Sequence, residues 1–515
     1  MSSTFMGLET ARRGMMAQQS ALSTIGQNVA NASTPGYSRQ TVNFVQTEAY
    51  PAIGMDREQI PGQIGTGVTA SSITRVRESF LDTQYRGENN KLGYWQTKSD
   101  ALNQMESVMN EPSDSGLSET MDQFWQSLQD LQVDPTNAGA RSVVRQRGEA
   151  VADTFNYLSN SLTTIQQDQK AQLDQTVNQV NSLVNQLSQV NQQIGSVEPH
   201  GYLPNDLYDE RDRLLDQLSS LVNINVEYVS PGGNANPKAE GQAVVKLVND
   251  NGSEQGILVS NNGSNKLNVS YDGVDGSVKT ISVGDQKLDV SQFTSTGKLQ
   301  SLIESYGYEK DGKATGIYTD MLSKLDTLAY NFANAFNSQH EQGFSPNEIS
   351  SKTSQNIDFF ADKTNTSITD EKGFASRIQL SQDIQNSLDN IATAGGTDPS
   401  TATLGDATNV SALANIINQK LPYGGDGQSD FRTYFQNVIG GMAVDTQEAT
   451  NMTKNSTTLQ QSVDQKRQSV SSVSLDEEMS NMVQFQHAYE ASARMISLED
   501  QILDKIINGM GAGGR

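Results

Sequence analysis

The sequence predicts a mainly α-helical, elongated, multi-domain protein with a small antiparallel β insert. Its N- and C-terminal helices are expected to pair as a coiled-coil-like stalk beside a central helical bundle. Three observations predict this. Apolar residues recur every seven positions at both ends of the chain. The period changes from helical to alternating in one stretch, residues 226–296. The hydrophobic share is 35% of 515 residues, below the usual range for a compact globular protein, which suits helices that share narrow seams.

The first thirty residues place Leu8, Met15, Leu22 and Val29 seven apart. The intervening seam positions, Arg12, Gln19 and Gly26, are poor core residues, so a lone helix of this kind needs a partner to persist. The last forty residues offer one. Met482, Tyr489, Ile496 and Leu503 share a seven-residue spacing that begins at Leu475 and reaches Met510, the spacing of a coiled-coil seam. Ser474 and Glu477 form a capping-box pattern at its start, and the glycines of "GMGAGG" end it. The weak N-terminal seam predicts that both ends are loose in a free monomer.

Between Asn28 and Gln40 the chain reads "NVANASTPGYSRQ". Pro35 fixes φ for the second position of a β-turn and Gly36 supplies the positive φ that a type II turn needs next. Pro35 also stops the helix. Val42 and Phe44 then alternate as in a strand. The stretch is a hard corner between a helix and a strand.

From Ala150 to Gly195 a long helix is expected, with Leu173, Val177, Val180, Val184, Leu187 and Ile194 along its seam. After a break at Pro199–Gly201, "LPNDLYDERDRLLDQLSSLV" predicts a second helix, capped by Asn205 or Asp206, with Leu207, Leu214, Leu218 and Leu221 as its apolar stripe. Asp209 and Arg213 stand i, i+4 for a surface pair. The carboxylates of "DLYDERD" read as a solvated face. Short alternating runs interrupted by Asn251-Gly252, Asn262-Gly263 and Asp272-Gly273 give the β insert. Helices resume at "GKLQSLIES" and lead to the terminal strip.

Composition removes several function classes. The net charge is −24, and no basic cluster could neutralise a run of phosphates, so no nucleic-acid partner is expected. No apolar run approaches a membrane span, so no membrane insertion is expected. The N-terminus lacks the apolar core and small-residue cleavage site of a secretory signal. There is no cysteine, hence no disulfide, thiolate or cysteine-held metal. His200, His340 and His487 lie far apart and outside any metal-binding pattern. "GQIGTGV" opens no helix and reads as a turn, not a phosphate cradle. Asp272 and Asp275 lack the later glutamate of a calcium loop. No serine sits in a nucleophile elbow. No catalytic, cofactor or metal site is expected, and the chain does not read as an enzyme.

"SALSTIGQNVANASTPGYSRQ" resembles the N-terminal signature of the bacterial flagellar rod, hook and hook-associated proteins, falling here on Asn28, Asn31, Thr34, Gly36 and Tyr37. "IGTGVTASSITRVRESFLDTQYR" resembles the segment that follows it. The C-terminal "VSLDEEMSNMVQFQHAYEASARMISLEDQILDKII" resembles the family's terminal motif, notably at Leu475, Asp476, Glu478, Met479, Gln486, Tyr489, Ala491, Ala493 and Arg494. "PNDLYDERDRLLDQLS" and "GDATNVSALANIINQ", in a helix-rich middle, resemble the family member at the first junction between hook and filament.

The resemblance implies a structural protein of the extracellular flagellum, exported unfolded through the flagellar type III apparatus without a cleaved signal. It implies self-assembly at the hook tip, with the hook protein, hook-associated protein 3 and an export chaperone as partners. The expected assembly residues are Leu8, Met15, Leu22, Val29, Met482, Tyr489, Ile496 and Leu503. The expected domains are a terminal helical assembly domain (1–33 and 478–515), a helical-bundle domain (34–225 and 297–477) and the β insert (226–296). The rivals are another axial rod or hook protein and, from a different class, a filament-borne adhesin or glycan hydrolase. The latter would need a binding groove or a carboxylate pair in the insert, where aromatics are few (Tyr228, Tyr271 and Phe293).

Overall fold

A computed structural model of the chain describes residues 5–51, 62–111, 113–114, 116–230, 232–273, 276–364, 368–423 and 428–510. In chain order the elements are α1 (Phe5–Ala30), β1 (Gln40–Gln46), β2 (Val68–Arg75), α2 (Ser79–Met109), α3 (Leu117–Val133), α4 (Ala138–Val197) and α5 (Asn205–Leu221). Strands follow: β3 (Ile224–Val229), β4 (Gln242–Val248), β5 (Glu254–Ser260), β6 (Gly263–Ser264), β7 (Leu267–Tyr271), β8 (Val278–Val283) and β9 (Gln286–Asp289). Then come α6 (Lys298–Tyr306), β10 (Tyr308–Lys310), β11 (Lys313–Thr315), α7 (Ile317–His340), α8 (Pro346–Ser351), β12 (Phe360–Asp362), β13 (Ile378–Leu380), α9 (Gln382–Asn386) and α10 (Thr408–Ala414). The chain closes with β14 (Leu421–Pro422), β15 (Gln428–Ser429), α11 (Phe431–Ser471) and α12 (Leu475–Met510). The helical class expected from the sequence is the class observed, with the N- and C-terminal helices paired.

The chain divides into two compact units. The first gathers Met1–Asn90, Val180–Lys266 and Thr457–Arg515; the second holds Lys91–Gln179 and Leu267–Ser456. The chain passes from one to the other four times, within α2, within α4, between β6 and β7, and within α11.

In the second unit, α3 and α7 turn their apolar stripes inward around an aromatic cluster. Phe124, Phe332, Phe336, Phe359 and Phe360 are fully or almost fully buried, and their ring centroids lie 4.9–6.3 Å apart in tilted and edge-on pairs. Burying each such ring contributes about 1.5–3 kcal/mol, and edge-on pairs add to that. Both tryptophans of the chain, Trp95 and Trp125, belong to this unit. α8 begins with a full capping box: Ser345 Oγ accepts from the Glu348 N–H at 3.3 Å, and the Ser345 N–H donates to Glu348 Oε2 at 2.9 Å.

The first unit is built from α1, α5, α12, the β1–β2 hairpin and a four-stranded sheet ordered β3-β4-β5-β6. β1 and β2 pair antiparallel, Gln40 opposite Arg75, with a bulge between Asn43 and Phe44. The apolar face of α5 buries Tyr208, Leu214, Leu215, Leu218 and Leu221.

The β insert differs from expectation. Residues 226–296 serve two sheets, one in each unit. β3 to β6 form the first; β7, β8 and β9 join β10 and β11 in the second, where β8 and β10 run parallel. Alternation along a strand reports its local period, not its partner. The short strands β10 and β11, supplied from beyond α6, complete the second sheet, and no pattern within 226–296 points to them.

Candidate assembly site at the paired termini

α1 and α12 lie side by side in opposite directions. Gly7 faces Glu499, Gly14 faces Ser492, and Asn28 bonds Glu478. A step of seven residues forward on α1 is therefore a step of seven back on α12, and fourteen more lead to the Asn28 contact. The heptad spacing of both sequences is realised as this constant register. At Gly7 an added Cβ would collide with the Glu499 carboxyl, and at Gly14 it would sit 3.3 Å from Ser492 Oγ.

The seam positions expected from the sequence separate. Leu8, Met15 and Leu22 on α1 and Met482, Tyr489, Ile496 and Leu503 on α12 are half-buried. Val29 is exposed at 36%. The innermost face of α1 is instead Ala17, Ala21, Thr24, Ile25 and Asn28. Besides Ile25 it is lined by small residues and one amide, as α1 packs against α12, β1 and β2. Arg12, Gln19 and Gly26 are exposed, in keeping with their polarity.

α12 also presents a second set of large apolar residues that no described residue buries. Met479 is 62% exposed, Leu498 49% and Ile502 41%. A groove of about 600 Å³ opens beside α12, lined among others by Gly7, Ala11, Gly14, Ile64, Gly67 and Ala491. The sequence places Met479 on a second strip four residues on from the first, but that reading did not reach Leu498 and Ile502; with Ile506 they form an exposed row at i, i+4, i+8.

The corner at the end of α1 folds as the sequence predicts. The Tyr37 N–H donates to the Thr34 carbonyl at 3.2 Å, and Gly36 takes φ +85°, which makes Thr34–Tyr37 a type II turn. Thr34 Oγ1 donates to Asn31 Oδ1 at 3.2 Å, and Asn31 Nδ2 to the Gln27 carbonyl at 3.1 Å. Asn28 is buried and fully bonded. Its Nδ2 donates to the Gln40 carbonyl (2.9 Å) and to Glu478 Oε2 (3.1 Å). Its Oδ1 accepts from the Gln40 N–H (3.0 Å) and the Tyr37 hydroxyl (2.8 Å). One side chain thus joins α1, the turn, β1 and α12. Burial, followed by the nearby charges of Asp209, Asp206 and Glu478, pushes the Tyr37 hydroxyl up to about 12, so it stays a donor.

α12 is tied down a second time. The Arg39 N–H donates to the Ser471 carbonyl at 2.9 Å, and its guanidinium pairs with Glu477 at 2.7 Å. Ser474 caps the helix by accepting from the Glu477 N–H at 3.5 Å; the Glu477 carboxylate goes to Arg39, not back to the cap.

The "DLYDERD" helix face contradicts the solvated reading. Asp209, Arg211 and Asp212 are buried. Arg75 reaches Asp209 at 2.7 Å, Asp212 at 2.9 Å and Glu240 at 2.6 Å; Arg86 reaches Asp212 at 3.1 Å and Asp216 at 2.9 Å. Burial would raise the Asp212 carboxyl, but the guanidiniums of Arg77, Arg211, Arg75 and Arg86 outweigh it and hold it well below the usual carboxylate range. The expected Asp209–Arg213 pair does not form: Arg213 bonds Glu210, and Asp209 accepts from the Ser38 N–H (3.1 Å) and hydroxyl (2.7 Å). Asn205 does not cap α5 either; its Nδ2 donates to Gln40 Oε1 (3.1 Å) and the Ile73 carbonyl (2.9 Å). Carboxylate spacing on a helix is the same whether the face meets water or arginines. Arg211 is a neighbour on α5, but Arg75, Arg77 and Arg86 come from the end of β2, the link after it and α2, more than a hundred residues earlier.

The remaining candidates stay apart. His200 and His487 are exposed, while His340 is buried. Asp272 pairs with Lys279 at 3.0 Å; Asp275 lies outside the described residues. Among the described residues no group of three His, Cys, Asp or Glu could hold a metal ion, and no helix is long and apolar enough to cross a membrane.

The comparisons with known proteins follow this geometry. Residues 8–37 match the family model described as flagella basal body rod protein, and residues 464–509 the model of the flagellar basal body rod FlgEFG protein C-terminal. The paired helices and their corner therefore define a protein of the flagellar axial class. Residues 102–360 match the model of the flagellar hook-associated protein FlgK helical domain. The chain is 46% identical to flagellar hook-associated protein 1 of Bacillus subtilis over all of both chains, and 25% identical to that of Salmonella typhimurium over 97% of this chain and 98% of the relative. The chain belongs to the flagellar hook-associated protein 1 family. A solved structure titled as the flagellar hook junction protein FlgK from Burkholderia pseudomallei shares the fold, with a TM-score of 0.58 at 14% identity, covering 76% of this chain and all of that one.

Proposed function

We propose that this chain is a structural component of the bacterial flagellum, a junction protein whose copies polymerise at the hook tip and join hook to filament. The observation that carries the reading is the antiparallel terminal pair, locked by Asn28 and Glu478, with a row of large aliphatic side chains on α12 exposed among the described residues. A helix pair of this kind is stable enough to keep its register and still has apolar surface to bury against copies of itself. Leu8, Met15, Leu22 and Val29 on α1, with Met482, Tyr489, Ile496 and Leu503 on α12, form the seam of the assembly; the exposed strip at Leu498 and Ile502 extends it. The turn residues Asn28, Asn31, Thr34, Gly36 and Tyr37 hold the corner from which the pair departs.

The partners of this reading are further copies of the chain, the hook protein and hook-associated protein 3, with an export chaperone in the cytoplasm. The location is the extracellular hook–filament boundary, reached through the flagellar type III apparatus without a cleaved signal. The role is mechanical, not enzymatic. The test is a deletion strain examined by electron microscopy. Hooks without filaments, filament protein free in the medium and restoration by the intact gene are expected. Immunogold label on the complemented strain should sit at the hook–filament boundary. Filaments that remain attached in the deletion strain would refute the reading.

A further inference from the structure

We infer that the first two turns of α5 set the angle of the corner at the end of the terminal helix pair, with Asp209 and Asn205 as the positioning residues. The inference rests on the flagellar reading for its consequence, but not for its geometry.

The signature turn is poorly supported by packing. Residues 33–36 are exposed, and the turn borders a groove of about 670 Å³ shared with α5 and the end of α11. Gly36 has no side chain to pack, and the aliphatic part of Arg213 lies beside it. What ties the corner to α5 is polar. Asp209 takes both the N–H and the hydroxyl of Ser38, two residues after Gly36, and Arg75 at the end of β2 shares the same oxygen as the hydroxyl. One turn earlier, Asn205 donates to Gln40 Oε1 and the Ile73 carbonyl. The two residues stand i, i+4 and so face the same way, and between them they clasp both strands of the hairpin. Gln40 in turn holds Asn28, and Asn28 holds Glu478 of α12. Hydrogen bonds constrain angle as well as distance, whereas apolar contacts are non-directional. A corner held by such bonds beside open space has its angle set by the clasp.

The test uses the purified full chain and flagellated cells, and compares Asp209→Ala with Glu240→Ala. Glu240 bonds Arg75, which Asp209 also bonds, and Arg211 of the same buried network, without touching the turn. Both variants therefore disturb the buried charges, and only one releases the corner. In Asp209→Ala, hydrogen exchange at the Ser38 amide should accelerate about tenfold or more, the scale of a lost bond to a charged acceptor; in Glu240→Ala it should not. Asp209→Ala cells should shed filaments while Glu240→Ala cells of equal secreted level keep them. Asp209→Asn, which keeps an acceptor for Ser38, should restore part of the protection. Equal exchange in the two variants, or filament loss that follows global unfolding stability in both, would overturn the inference. If the deletion strain itself kept its filaments, the flagellar reading would fall, and the exchange result alone would decide the clasp.

Discussion

Asn28 is a short polar residue near the end of a helix, a position where asparagine is unremarkable in sequence. In the fold it is buried and makes four hydrogen bonds. Asn28→Ala would leave the Gln40 backbone groups unpaired at a cost of about 1–3 kcal/mol. Amide exchange at Gln40 and along the start of α12 should report that loss, since no tryptophan lies in this unit. Gly36→Val would force a β-branched residue to φ +85°, a strain of about 1–3 kcal/mol. The turn itself was legible, because Pro35 and Gly36 carry their backbone preferences with them. The partners of Asn28 were not, because Glu478 is 450 residues away.

A pair of titrating residues in the other unit gives a prediction with opposing signs. His340 donates through Nδ1 to the Ile357 carbonyl and accepts at Nε2 from the Ala392 N–H. Burial, against the Ile357 bond and the Glu348 charge, pushes it down to about 4. Its folded value lies below its unfolded one, so its stabilising share is full above about pH 6.5 and is lost as the pH falls toward 4. Asp326 is pushed up to about 6 by burial, against the N–H groups of Gly373 and Ala375. Its stabilising share is full below its unfolded value and is lost as the pH rises through 6. Each full shift is worth roughly 3 kcal/mol, so between pH 6.5 and 4 the two nearly cancel. Asp326→Asn should uncover the histidine: urea unfolding followed by tryptophan fluorescence should show stability falling with acid. His340→Leu should uncover the aspartate, and stability should rise over the same window. Parallel pH profiles in the two variants would refute the assignment.

Among the elements, α12 shows both what periodicity reveals and what it hides. The strip at Met482, Tyr489, Ile496 and Leu503 was legible because every seventh residue is large and apolar. The strip at Leu498 and Ile502 was passed over, since two apolar rows on one helix read as one broad row. It makes the sharper test of assembly. Leu498→Asp with Ile502→Asp places charges where the single chain is already open to water, so urea midpoints should stay within about 0.5 kcal/mol of the parent. In an assembled seam each buried charge would cost several kcal/mol, and filaments should be lost. The secreted level of the variant separates assembly from export. Normal swimming with the variant present at the hook tip would exclude this face. α5 teaches the converse. Leu214, Leu218 and Leu221 of its expected stripe are buried, but Leu207 is only half-buried, Tyr208 and Leu215 complete the apolar face, and its carboxylates were assigned to water. A charged helix face declares its solvent only when the opposite charges are adjacent in sequence, and here Arg75, Arg77 and Arg86 are not.

At the scale of the molecule, the two units carry separate cores, and both tryptophans lie in one of them. Tryptophan fluorescence therefore follows the second unit alone, while far-ultraviolet circular dichroism follows both. The two unfolding curves should not coincide. Coincident curves would mean that the units unfold as one. The sequence displayed the helices of each unit but not the division between them, because α2, α4 and α11 run through it without a Pro or Gly break at the crossing points.

The contact between Asn28 and Glu478 also orders events in time. It closes a loop of 450 residues, and closing a long loop in a bare chain is entropically unfavourable and slow. Once both cores have formed, the same two residues are brought near by structure already made, and the remaining search is short. The terminal pair is therefore the last element to take shape. A chain threaded through a narrow channel would have its two ends meet only after the whole length had passed, so α1 would spend such a transit without its partner.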